Sequence, residues 1–190
     1  MMCRGVSRGS CGVALDILMS LCYNYQERGE KAVLSGILEK SECAGCRLCC
    51  TFDAYGLWLT PYISEDTAQL IREKYKPSQR FIRKDSRLLL RMEQNADGLF
   101  PCPLLDPEKG CIMEDDKPFD CKIWPLMLME KDGKRVITLS EECPVLSEKP
   151  LEEIKLSAER LAPAIFSYAD TEPKTVRKYS EGYEVLFEEK

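Results

Sequence analysis

The chain has 190 residues, a formal net charge of −5, 31% charged and 44% hydrophobic residues, 11 cysteines and no histidine. That length suits one domain, or one domain with a small appendage, and it is enough to bury a core. Without histidine there can be no Ser-His-Asp or Cys-His catalytic pair, His-bearing zinc finger, facial-triad iron site or His-ligated haem. Any metal must be held by thiolates, with carboxylates as the other strong side-chain ligands.

The N-terminus carries Arg4 and Arg8 and then the apolar run Cys11-Gly-Val-Ala-Leu15, which Asp16 interrupts with no small-residue cleavage site after it. No run of about 18 apolar residues occurs, so no transmembrane helix is expected. A reducing, cytoplasmic compartment follows, in which clustered cysteines are read as ligands rather than bridges. The Gly/Ser/Arg/Cys composition ahead of Leu15 also fits a start of translation at Met19.

Three segments are expected. Residues 1–40 form an N-terminal extension with helical stretches over 14–25 and 31–39. Its Cys3, Cys11 and Cys22 lack metal-binding spacing and are read as ordinary thiols. Residues 41–146 form a cysteine-rich domain, and residues 147–190 a C-terminal helix with a polar tail. Within them, Ser64 reads as the N-cap of a helix reaching Tyr75, with Glu65 and Asp66 in its first turn. The run 87–93 reads as a strand, and Asn95-Ala-Asp-Gly98 as the turn returning the chain from it. Asp106-Pro-Glu-Lys-Gly110 is a tight turn. Residues 125–139 form a hairpin about Asp132-Gly133, the favoured two-residue turn. An amphipathic helix spans 148–162, and Pro163 should kink or end it, with 164–169 continuing in helical form. The fold class is α+β, with short hairpins and flanking helices organised around a cysteine-rich metal site.

Charge is uneven. Residues 72–91 carry eight basic and two acidic side chains, whereas 93–148 carry 13 acidic and six basic ones. No nucleic-acid-binding motif accompanies the basic run, so it is read as a solvated face rather than a phosphate-binding patch.

Cys43-Ala-Gly-Cys46-Arg-Leu-Cys49-Cys50 places four cysteines in eight residues. A C-x-x-C step lets two sulfurs wrap one metal, because a tight loop turns both side chains inward. Repeated steps build iron–sulfur sites, and paired single steps build zinc ribbons. Neighbouring side chains diverge, so Cys49 and Cys50 are expected to face different sites. Cys102, Cys111, Cys121 and Cys143 follow at turns and strand ends, three of them near proline, which stiffens a ligand loop. These eight thiols are the candidate ligands: two zinc sites of four, or one four-iron cluster with four thiols left over. Arg47 and Lys122 adjoin candidate ligands and could lower thiolate pKa values. Trp58 and Trp124 are read as core, and Glu114, Asp115 and Asp116 as a solvated turn.

The order C-x-x-C-x-x-C-C, Cys102-Pro-Leu-Leu-Asp, Gly110-Cys111-Ile112, then Lys117-Pro118-x-x-Cys121-Lys122-x-Trp124-Pro125 resembles the YkgJ-type cysteine-cluster family of zinc- or iron-chelating proteins. The resemblance covers residues 40–145. Met113, Lys117, Lys122 and Trp124 stand where that family more often has Tyr, Arg, Arg and Phe, and Lys for Arg is not neutral at a bidentate site. The resemblance implies thiolate binding of an iron–sulfur cluster or zinc. Flagellin lysine methylases carry a similar cysteine pattern. Three functions therefore stand open: a metal-binding protein with a structural, redox or sensing role, a cluster-dependent protein-lysine methylase-like enzyme, or an interaction module built by zinc. The expected partner is a protein or redox partner, with neither membrane nor nucleic acid.

Overall fold

A computed structural model describes residues 45–56 and 60–190. The expected helices over 14–25 and 31–39, together with Cys3, Cys11, Cys22, Cys43 and Trp58, lie outside those residues. A 3-10 turn, Leu48–Cys50, leads into β1 (Thr51–Phe52). Helix α1 (Glu65–Leu70) runs on through a π-helical turn, Ile71–Tyr75, into the hairpin β2 (Phe81–Lys84) and β3 (Arg87–Leu90). Then come β4 (Phe100–Pro101), β5 (Leu105–Asp106), β6 (Gly110–Cys111) and helix α2 (Phe119–Ile123). The hairpin β7 (Leu126–Lys131) and β8 (Lys134–Leu139) is followed by the short α3 (Pro144–Ser147) and the long α4 (Leu151–Thr171). Two strands close the chain, β9 (Arg177–Lys178) and β10 (Glu184–Glu188). The class is α+β, as expected.

The largest sheet has the order β10-β8-β7-β9, antiparallel except for the parallel β7–β9 pair. Its side chains obey the two-residue period of a strand. Leu126, Leu128 and Ile137 face α4, whose Ile154, Ala158, Leu161, Ala162, Ile165, Phe166 and Ala169 are buried against them. Met127, Met129 and Val136 point to the other face, among Trp124, Tyr179 and Tyr183. A second core sits beneath α1 and the β2–β3 hairpin, built on Ile63, Ile71, Leu88, Leu90, Leu104 and Met113. Cys102 and Cys111 pack at its edge, while Cys143 belongs to the α4 core. Cys102 directly after β4, Cys111 in β6 and Cys121 in α2 thus belong to the segment that runs between the elements of the two cores.

Several local expectations hold. The Ser64 side chain accepts from the backbone N–H of Thr67 at 3.2 Å, which caps α1. Asp132 (φ 52°) and Gly133 (φ 79°) make the β7–β8 turn with both residues left-handed. Asp106 Oδ1 accepts from the N–H groups of Glu108 and Lys109, both at 2.8 Å, and closes the β5–β6 turn.

Three expectations are corrected. β3 does not return through Asn95–Gly98. It pairs backwards with β2 around Asp85 and Ser86, and the strand after Gly98 pairs with β1 instead. Asn95 does cap a turn, accepting from Asp97 and Leu99, but that turn redirects the chain to a different sheet. Pro163 does not end its helix. It is exposed, on the outside of α4, where the carbonyl it leaves without a donor can meet water while buried residues on both sides keep packing. The polar tail carries β9 and β10, which flank the main sheet. The basic run is engaged with its neighbours: Lys74 pairs with Asp116 at 2.7 Å, Arg83 with Glu65, and the Arg72 guanidinium lies 4.7 Å from the Phe81 ring centre. Among the described residues no helix is long and apolar enough to cross a membrane.

Leu128 is fully buried between α4 and the sheet. Leu128→Ala should therefore cost about 2–5 kcal/mol of unfolding free energy, measured as a lowered denaturant midpoint with an unchanged slope.

Candidate functional site

The cysteines are brought together by short backbone links. Arg47 adopts a left-handed conformation (φ 57°), and its carbonyl accepts from the Cys50 N–H at 3.0 Å, tightening the 3-10 turn. The carbonyl of Cys50 accepts from the N–H of Cys102 at 2.7 Å, one residue beyond the β1–β4 ladder. The carbonyl of Cys102 accepts from Leu105 at 3.0 Å, and Leu105 is paired with Cys111 across β5–β6. Cys121 sits in α2, its N–H donating to the carbonyl of Pro118 at 2.9 Å. Four segments far apart in sequence therefore converge.

Between them lies a cavity of about 90 Å³, lined by Cys49, Cys50, Cys102, Cys111 and Cys121. Arg47, Lys109 and Lys117 also line it, and Leu104, Met113 and Trp124 give it apolar walls. Cys102, Cys111 and Cys121 lie deep in the protein yet keep some surface open, as thiols facing a hollow do. A smaller hollow of about 20 Å³ is lined by Cys46, Cys49, Glu142, Cys143 and Trp124 among others. Cys46 is exposed and Cys143 buried. No described cysteine is in a disulfide, so Cys49 and Cys50 do not form a vicinal bridge. Among the described residues, no group of three or more Cys, Asp or Glu side chains stands where it could hold one metal ion as placed.

The thiols repel one another's charge. Burial pushes the Cys102 thiol up to about 12, and the charges of Cys50 and Cys111 push the same way. Burial raises Cys111 as well, with the Lys117 ammonium and backbone N–H groups acting in the opposite direction. Cys121 is raised well above its ordinary value, by burial and then by Cys102, Cys50, Cys111 and Asp120. In the folded protein these groups are thiols, and any metal must displace their protons. The Asp116 carboxyl is held low chiefly by Lys74 and Tyr75, with a smaller contribution from Lys122.

Behind Cys121 is a network that the sequence did not disclose. The buried Asp120 carboxylate accepts from Arg177 Nη2 at 2.6 Å, from Thr175 Oγ1 at 2.7 Å and from the Tyr62 N–H at 2.9 Å. Arg87 Nη2 lies 4.0 Å away. Burial alone would raise the Asp120 pKa. The Arg177 charge and these donors outweigh it and hold the carboxyl below its ordinary value. Asp120 and Arg177 also border the cavity. Arg177 and Thr175 fall in what reads as a polar tail, and no motif marks them. An acidic residue beside a candidate ligand was the only available signal. In the 3-10 turn Glu114–Asp116, Asp115 is exposed, the half-buried Asp116 takes Lys74 and Tyr75, and Glu114, expected in a solvated turn, also lines the cavity.

No protein-family model matches the chain, and neither the curated proteins nor the solved structures give a significant match.

Arg177→Leu would leave the Asp120 carboxylate buried without its charge partner and should cost about 3–5 kcal/mol, seen as a lowered thermal midpoint. The thiols give a pH test on metal-free protein. A thiol pKa raised by folding contributes stability that is fully present below the unfolded pKa, near 9, and lost as pH rises towards 12. The stability difference between wild type and Cys102→Ala should therefore shrink from pH 9 upward in chemical denaturation; a constant difference would contradict the raised thiol.

Proposed function

We propose that this chain is a metal-binding protein whose cysteine thiolates hold an iron–sulfur cluster or zinc, in a structural, redox or sensing role. One observation carries the reading: Cys49, Cys50, Cys102, Cys111 and Cys121, from distant parts of the chain, line a single cavity. The donor set fits such a group. Thiolate sulfur is the ligand of both structural zinc and iron–sulfur clusters, and the chain has no imidazole to compete. Lys117 and Arg47 at the cavity would offset the negative charge of several thiolates. The apolar walls of Leu104, Met113 and Trp124 would limit water around a bound group and strengthen those charge interactions. A bound cluster would supply one-electron chemistry, and bound zinc would cross-link the loops. The likeness of residues 40–145 to cysteine-cluster chelating proteins points the same way.

Because several of these thiols are protonated in the folded chain, binding must release protons, and affinity should fall as pH is lowered. Anaerobic purification followed by metal and acid-labile sulfide analysis tests the reading. A brown protein with iron and sulfide supports the cluster, and a colourless protein with stoichiometric zinc supports zinc. Wild-type protein that takes up neither after reconstitution would overturn the proposal. Cys121→Ser should abolish the bound metal.

A further inference from the structure

Among the described residues, the fold distributes the cysteine block between two hollows. Within the 3-10 turn Leu48–Cys50, with about three residues per revolution, Cys50 points about 120° away from Cys49, and Cys46 lies ahead of the left-handed Arg47 that opens the turn. The cavities divide the block accordingly. Cys50 lines the larger hollow with Cys102, Cys111 and Cys121, and Cys46 lines the smaller one with Cys143. Cys49 borders both and stands at the wall between them. The link between the Cys50 carbonyl and the Cys102 N–H at 2.7 Å, with the Leu105–Cys111 pairing, ties Cys50 to the later cysteines by backbone rather than by mobile side chains.

We infer that Cys50, Cys102, Cys111 and Cys121 are the ligands of one metal centre, to which Cys46 and Cys143 contribute nothing. This division rests on the metal-binding reading above and narrows it: four of the seven described thiols are ligands of this centre, and Cys50 is the one that the block's described part donates to it. The larger hollow has room for a group of several atoms, since about 90 Å³ is several times the roughly 10–15 Å³ that one water requires.

The test uses full-length protein reconstituted anaerobically with iron and sulfide, and separately with zinc. Cys46→Ser and Cys143→Ala should retain the wild-type metal content per folded chain, whereas Cys50→Ser, Cys102→Ser and Cys121→Ser should lose it. Should an inner variant fail to fold, alkylation of wild type followed by mass spectrometry gives the same answer. Cys50, Cys102, Cys111 and Cys121 should be protected when loaded and become reactive together on stripping, while Cys46 and Cys143 keep one reactivity throughout. Metal loss in Cys46→Ser or Cys143→Ala equal to that in Cys121→Ser, or protection of Cys46 and Cys143 in step with the inner four, would overturn the division and leave metal binding intact. Wild type that takes up neither metal would instead overturn the metal reading itself, and the division with it.

Discussion

The buried carboxylate of Asp120 is the interaction on which the arrangement of this protein depends. Taking a carboxylate out of water costs several kcal/mol unless charge and hydrogen bonds compensate, and here they arrive from two separate places. Arg177 and Thr175 come from the C-terminal region, and the Tyr62 N–H from the loop ahead of α1. Only one mutual placement of α2, that loop and β9 satisfies all of them. Because β9 pairs with β7, the network also joins α2 to the main sheet. Cys121, the next residue, inherits its position from this arrangement.

The same restraint accounts for the character of the cavity. Five cysteines are presented by elements that are each too short to be stable alone: two-residue strands, a 3-10 turn and a five-residue helix. Such pieces hold shape only through what they pack against, and two apolar cores provide that support on either side. Cys102 and Cys111 sit at the edge of one core, while Cys143 is buried within the other. Burial and mutual repulsion keep the thiols protonated. A cation that replaces those protons would offset the charge of the resulting thiolates and add a further link between the loops.

Legibility in the sequence followed the range of the interactions. The cap at Ser64, the Asp132-Gly133 turn and the Asp106 turn depend on residues within four positions of one another, and each was readable. The β2–β3 hairpin was not, because Asp85 and Ser86 both adopt positive φ without a glycine to announce it. Asn95–Gly98 looks like a hairpin turn and does bend the chain, but β3 had already taken β2 as its partner, and Phe100 found Phe52. Pro163 reads as a helix terminator by local rule; the apolar stripe from Ile154 to Ala169, packed on the sheet, carries the helix through it.

The sequence by itself determined the donor chemistry. Eleven cysteines and no histidine leave thiolate as the soft donor open to any metal, and the block from Cys43 to Cys50 concentrates four of those thiols. It also determined the α+β class, whereas Cys49 and Cys50, expected to face different sites, both border the larger cavity. Only the tertiary structure decided which thiols meet. Cys50 joins Cys102, Cys111 and Cys121 across as many as 71 positions of sequence, through strand pairings of one or two residues that carry no periodic signal. Arg177 and Thr175 are equally silent, because a residue that satisfies a buried carboxylate more than 50 positions away is chosen by where the chain returns, and local sequence does not encode that return.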